Sequence, residues 1–191
     1  MNNLLTIFVS MVIINNMVLA KFLGLCSFFG ISKKLSNAFS MGIAMTLVML
    51  IASVSTSVIY NYILVPYKVE FMKIVIFILI IASLVQITEI IIRRTNINLY
   101  NALGIYLPLI TVNCIVLAIA LINSTENYTV LESIVNALGA GIGYTLVIIM
   151  MSGIREKLDL ADSPKSMRGL PVAFLVAALL ALAFVGFNGM I

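Results

Sequence analysis

Asn15-Asn-Met-Val-Leu-Ala-Lys21-Phe-Leu-Gly24-Leu-Cys26-Ser-Phe-Phe-Gly30 lies inside an apolar run that covers about residues 4–31. As one straight helix, a run of about 28 residues would be roughly 42 Å long, against a bilayer core of about 30 Å. A break between Lys21 and Gly24 resolves the mismatch and holds Cys26 at membrane depth on a second half-helix. A tilted, unbroken helix is the alternative. The second cysteine ends a comparable stretch, Leu103-Gly-Ile-Tyr-Leu-Pro-Leu-Ile-Thr-Val-Asn-Cys114, in which glycine, proline and asparagine again interrupt apolar sequence. Backbone freed by such breaks is tolerated in lipid only where it is buried in protein or lines a polar cavity.

Composition extends this local reading to the whole chain. Of the 191 residues, 63% are hydrophobic and 9% charged, with a mean hydropathy of +1.21. Soluble domains carry about 25% charged residues. An all-α integral membrane protein is expected, with spans at about residues 4–31, 38–65, 71–92, 99–122, 128–153 and 170–191. Each can supply the roughly 20 residues that cross a bilayer core. The longest polar connector runs from Arg155 to Leu170, so residues 1–191 form a single membrane domain with no soluble part. No basic side chain precedes the first apolar run, which therefore reads as a span rather than a removed leader.

Alternation of six spans puts Lys33, Lys34, Arg93, Arg94, Arg155, Lys157, Lys165 and Arg168 on one face, and only Lys68 and Lys73 on the other. The positive-inside rule places the first group in the cytoplasm and both termini outside. The net charge of +4 is thus a topological signal and calls for no nucleic-acid partner. The absence of histidine excludes His-ligated haem, Rieske-type centres and imidazole zinc sites. No Walker A loop is present, and Gly139-Ala-Gly141-Ile-Gly143, lying inside an apolar span, reads as close helix packing rather than a dinucleotide fingerprint.

An internal repeat organises the spans. Gly42-Ile-Ala-Met-Thr46-Leu-Val48 and Gly141-Ile-Gly-Tyr-Thr145-Leu-Val147 share five of seven residues. Because they fall in the second and fifth spans, the matching helices cross the membrane in opposite senses. Two inverted three-helix repeats follow, about 1–94 and 95–191, with the first and fourth spans as equivalent broken elements. Each of those spans holds one cysteine. Inverted-repeat proteins build midplane sites from such discontinuous helices.

The cysteines have two open readings: small buried packing residues, or thiolate ligands. A disulfide between them is a lesser alternative. An iron–sulfur cluster needs four protein ligands, and this chain has two cysteines, so a cluster would require a second chain. Asn15, Asn16, Thr111 and Asn113 either bond between helices, hydrogen-bond the sulfurs of a cluster or the backbone freed by the breaks, or line an ion path, and Gly24 at the expected break is a candidate for the same surroundings of a cluster or ion path. Lys21 either snorkels or offsets thiolate charge. Glu89 precedes Arg93 by four residues and pairs with it or binds an ion. Tyr100, Tyr106 and Tyr144 read as interfacial or packing residues.

These residues resemble a known family. Asn15-Asn16, Lys21-Phe-Leu-Gly-Leu-Cys26, the Leu103–Cys114 stretch, Ile154-Arg155-Glu156 and Ala161-Asp162 look like the A-subunit family of the Rnf complex over the whole chain. The chain is also similar to the E subunits of the sodium-translocating NADH:quinone reductase. The resemblance implies a membrane component of an ion-translocating (Na+ or H+) ferredoxin:NAD+ oxidoreductase in a bacterial cytoplasmic (inner) membrane, not active alone. It implies that Cys26 and Cys114 are metal ligands of an intramembrane 2Fe-2S cluster. A homologous E subunit of opposite orientation supplies two further cysteines, and the B, C, D and G subunits complete the complex. Ferredoxin and NAD are met only through the complex, and the family's flavin attachment motif has no counterpart here. The competing function is a secondary transporter or channel in which the cysteines are incidental.

Overall fold

The computed structural model describes residues 2–32, 35–67, 70–95, 113–160 and 169–186. Every element among them is helical. Helix α1, Asn2–Val9, widens into a π-helical turn at Ser10–Ile14, and α2 is the short helix Leu25–Ile31. Helix α3, Leu35–Ile59, also continues through a π-helical turn, Tyr60–Leu64. Then come α4 (Lys73–Thr95), α5 (Cys114–Thr125), α6 (Val130–Leu160) and α7 (Leu170–Val185).

Three stretches, Leu35–Leu64, Lys73–Ile91 and Val130–Leu158, are long and apolar enough to cross a membrane, at 30, 19 and 29 residues. The chain is a multi-pass membrane protein. Leu4–Ile14 and Cys114–Thr125 are shorter apolar helices. At 1.5 Å per residue they reach about 16 and 18 Å, roughly half of a bilayer core.

The first span is broken, and the break is wider than its sequence suggests. Instead of starting at Lys21, it begins at Asn15 and lasts to Gly24. Asn16 accounts for the early stop. Its Nδ2 donates to the Val12 and Gly143 carbonyls and its Oδ1 accepts from the Val18 N–H, so the side chain takes over bonds that a continuing helix would make. Phe22 and Gly24, at φ 54° and 77°, then turn the chain through left-handed conformations. The matching break expected in Leu103–Cys114 falls on residues up to 112, which lie outside the described ones.

The core forms where α3 and α6 cross. A Cβ built on Gly42 would lie 2.5 Å from Thr145 Cγ2, and one built on Gly141 would lie 2.6 Å from Thr46 Cγ2. Each threonine hydroxyl donates back to the carbonyl of the glycine four residues before it in its own helix, at 2.8 Å in both. The two copies of the sequence repeat are therefore each other's packing partners. Gly139 and Gly143 admit α1 on another side of α6, close to Phe8 and Met11, as expected for packing glycines. Met41, Met45, Met49 and Ala52 form the buried stripe of α3, while Ile43, Leu47 and Ile51 face outward. Ala173, Ala177 and Ala181 do the same for α7, with Phe174 ringing against Phe29 at 4.3 Å between centroids.

The connector expected from Arg155 is also corrected. Helix α6 runs on to Leu160, and Arg155 is buried within it. A basic side chain at this depth stays because its charge is used: one guanidinium nitrogen donates to the Phe29 carbonyl at 2.9 Å and to Ser32 Oγ at 2.7 Å, closing the end of α2.

Candidate functional site

Both cysteines occupy first turns. Cys26 is the second residue of α2, after Gly24 at the cap, and Cys114 opens α5 behind Asn113. Asn113 Oδ1 accepts the Ile115 N–H at 3.2 Å, an ordinary asparagine N-cap. Such a cap sets Cys114 beside unpaired amide donors and the positive end of the helix dipole, surroundings that suit a negatively charged ligand set.

The two segments are tied together across 90 residues of sequence. The Gly24 N–H donates to Cys114 Sγ at 2.9 Å, and the Asn113 Nδ2 donates to Ser27 Oγ at 2.9 Å. Ser27 Oγ also accepts from the Tyr144 hydroxyl at 3.0 Å and donates to the Gly24 carbonyl at 2.9 Å. Ser27 is thus a saturated, fully buried hub joining α2, α5 and α6. Around it pack Phe28, Met45 and Ile115, all buried. A Cβ on Gly24 would come within 2.5 Å of Ile115 Cδ1, so the approach of the two segments requires glycine there.

Both thiols are free and exposed on this chain, although their immediate neighbours Ser27 and Asn113 are buried. No group of three or more histidine, cysteine or acidic side chains exists among the described residues. Two exposed thiols at neighbouring helix starts, one of them accepting a backbone N–H, are donors of the kind an iron–sulfur site takes, two short of the usual four.

The other sequence candidates disperse. Asn16 is buried against α6 through Gly143, and Asn15 is exposed, its Nδ2 donating to Ser10 Oγ at 3.0 Å. Lys21 is exposed on the break itself. Glu89 is half-buried on α4, whereas the Arg93 side chain and Thr111 lie outside the described residues. Ser27, Tyr144 and Arg155 have site roles that sequence reading did not assign. Ser27 and Tyr144 look like common helix residues, and only their neighbours reveal them.

Similarity to known proteins extends over the full chain. The family described as "Rnf-Nqr subunit, membrane protein" matches residues 4–191. A Clostridium ljungdahlii protein, named as the A subunit of a proton-translocating ferredoxin:NAD(+) oxidoreductase complex, is 51% identical over 100% of this chain and 99% of its own. Its Acetobacterium woodii counterpart, named as Na(+)-translocating, is 48% identical over 98% of this chain and 97% of its own. The A subunit of a Syntrophotalea carbinolica ion-translocating oxidoreductase complex is 46% identical over 100% and 99%. With a whole-length family match and relatives near half identity, this chain belongs to the Rnf-Nqr family of membrane subunits.

Proposed function

We propose that this chain is the A subunit of an ion-translocating ferredoxin:NAD+ oxidoreductase, and that Cys26 and Cys114 give two of four thiolates to a 2Fe-2S cluster shared with a homologous E subunit. The observation that carries the cysteine assignment is the Gly24 N–H bond to Cys114 Sγ, which brings both cysteine segments to one exposed place. Six spans in two inverted repeats, with both termini outside a bacterial cytoplasmic membrane, complete the reading. The reciprocal Gly42–Thr145 and Gly141–Thr46 contacts and the eight-to-two division of basic residues support it.

When bound, the cluster supplies a one-electron relay partway across about 30 Å of hydrocarbon. The chain's own residues do the rest. Gly24 N–H and the α5 N-terminus offer donors and positive potential to the Cys114 sulfur, which carries negative charge as a ligand. Ser27, Asn113 and Tyr144 hold the two first turns at a fixed separation, and Arg155 anchors the far end of α2. Exposure of both thiols leaves their outer side open for the second protein.

Electron paramagnetic resonance of the reduced, complete complex tests this. A 2Fe-2S signal present in the native complex and missing in an assembled Cys114→Ser complex is expected. An iron-free, colourless native complex would instead favour a transporter with incidental cysteines.

A further inference from the structure

One hydroxyl oxygen, Ser27 Oγ, meets groups from three parts of the chain. Tyr144 of α6 donates its phenol proton to it at 3.0 Å, and Asn113 donates an amide proton at 2.9 Å. Ser27 in turn donates to the Gly24 carbonyl at 2.9 Å, which also takes the Phe28 N–H at 3.0 Å. Gly24 closes the series, its own N–H reaching Cys114 Sγ at 2.9 Å. Ser27, Tyr144 and Asn113 are 0%, 1% and 3% exposed, and Gly24 is buried too, so water does not compete for the bonds between them.

The series has a direction. A serine hydroxyl carries one proton and two lone pairs. With Tyr144 and Asn113 on the lone pairs, the proton has one destination left, the Gly24 carbonyl. Gly24 needs that hold, because a glycine at φ 77° has no side chain to fix where its N–H points. That N–H is the one donor to a cysteine sulfur among the described residues. Buried hydrogen bonds in a chain reinforce one another, so a donor lost at one end is felt at the other. Packing explains the ring of Tyr144 but not its hydroxyl, which a phenylalanine would lack.

We infer that Tyr144 is a positioning residue for the cysteine site: acting through Ser27, it keeps the Gly24 N–H on Cys114 Sγ and so raises the reduction potential of a cluster held by that sulfur. The inference rests on the cluster reading above. A ligand sulfur is more negative after one-electron reduction, and a hydrogen bond to it favours the more negative form.

Potentiometric titration of the complete complex, followed by the paramagnetic signal of the reduced cluster, tests this. Tyr144→Phe keeps the ring and removes only the donor. It should lower the midpoint potential by about 30–60 mV, a three- to tenfold fall in the ratio of reduced to oxidised form at fixed potential. Ser27→Ala should lower it at least as far, and the double variant no further than Ser27→Ala alone, since both act through one bond. Ser53→Ala serves as the control for general loosening. It removes a buried hydroxyl that donates to the Ser133 carbonyl, about two turns along α3 from Met45, the α3 neighbour of Asn113, and should leave the potential unchanged. If Ser27→Ala does not assemble, Tyr144→Phe alone decides. An unmoved potential in Tyr144→Phe, or an equal shift in Ser53→Ala, overturns the positioning role and leaves the cluster reading intact. A native complex without the signal overturns the cluster reading, and this role with it.

Discussion

Asn113 Nδ2 donates to Ser27 Oγ at 2.9 Å, and each residue is the immediate sequence neighbour of a cysteine. The bond joins two helix starts that are 86 residues apart in the chain, so the spacing of the thiols depends on a pair of neutral side chains. The same asparagine also caps α5 with its Oδ1. Its two functions can be separated. Asn113→Ser keeps a capping oxygen but loses the amide donor, whereas Asn113→Ala loses both. The alanine variant is expected to be less stable than the serine variant by about 1 kcal/mol, the worth of a cap. Denaturation of the purified complex compares them.

Ser27→Ala should be more damaging than a buried methyl-for-hydroxyl exchange suggests. It leaves the Asn113 amide and the Tyr144 hydroxyl without their acceptor, at about 1–3 kcal/mol for each buried orphan. Adding Tyr144→Phe removes one orphan and should recover part of the loss. A non-additive double-mutant cycle in complex stability is the expected result.

Gly24→Ala meets two obstacles. The residue sits at φ 77°, and a Cβ there would lie 2.5 Å from Ile115 Cδ1. Left-handed strain costs roughly 1–2 kcal/mol for a residue with a side chain. Ile115→Ala should relieve the clash but leave the strain, so rescue is partial. Intensity of the paramagnetic signal per assembled complex reports whether the thiols remain in place.

Arg155→Met removes the donor to the Phe29 carbonyl and Ser32 Oγ and leaves the end of α2 open. A loss of about 1.5–3 kcal/mol is expected for hydrogen bonds from a charged group. Lysine keeps the charge but not the planar fork, so Arg155→Lys should lie between the native protein and the methionine variant. Maleimide labelling of Cys26 in membranes, faster in Arg155→Met, would register the loosened half-helix.

At the α3–α6 crossing, Gly42→Ala puts a methyl into Thr145. Overpacking of this kind costs about 1–3 kcal/mol. Combining it with Thr145→Ala should restore most of the stability, and the mirrored pair Gly141→Ala with Thr46→Ala should behave the same way. Equal responses from the two pairs would be the energetic signature of the repeat.

Hydropathy and charge were legible in the sequence because each residue's preference for lipid or water is its own. The apolar runs, the excessive length of the first one and the five-in-seven repeat required no partner to be seen. That its two copies pack on each other was not read from the sequence and is seen only where Gly42 meets Thr145 and Gly141 meets Thr46. The limits of the break were less visible. Asn16 stops the helix five residues before Lys21, where the break was expected to start, and it does so with a bond to Gly143 on another helix.

What folding alone decided is which polar groups share a neighbourhood. Arg155 looked like a connector residue until α6 carried it against Phe29. Asn123 and Asn136 drew no reading from the sequence, yet three helices close over them. Sequence determined that this chain lives in a membrane and that its cysteines sit at helix interruptions, because transfer energies and helix lengths are local. Tertiary structure decided that the Gly24 N–H reaches Cys114 Sγ and that the Tyr144 hydroxyl reaches Ser27, because hydrogen bonds are directional and depend on distances that no linear spacing contains.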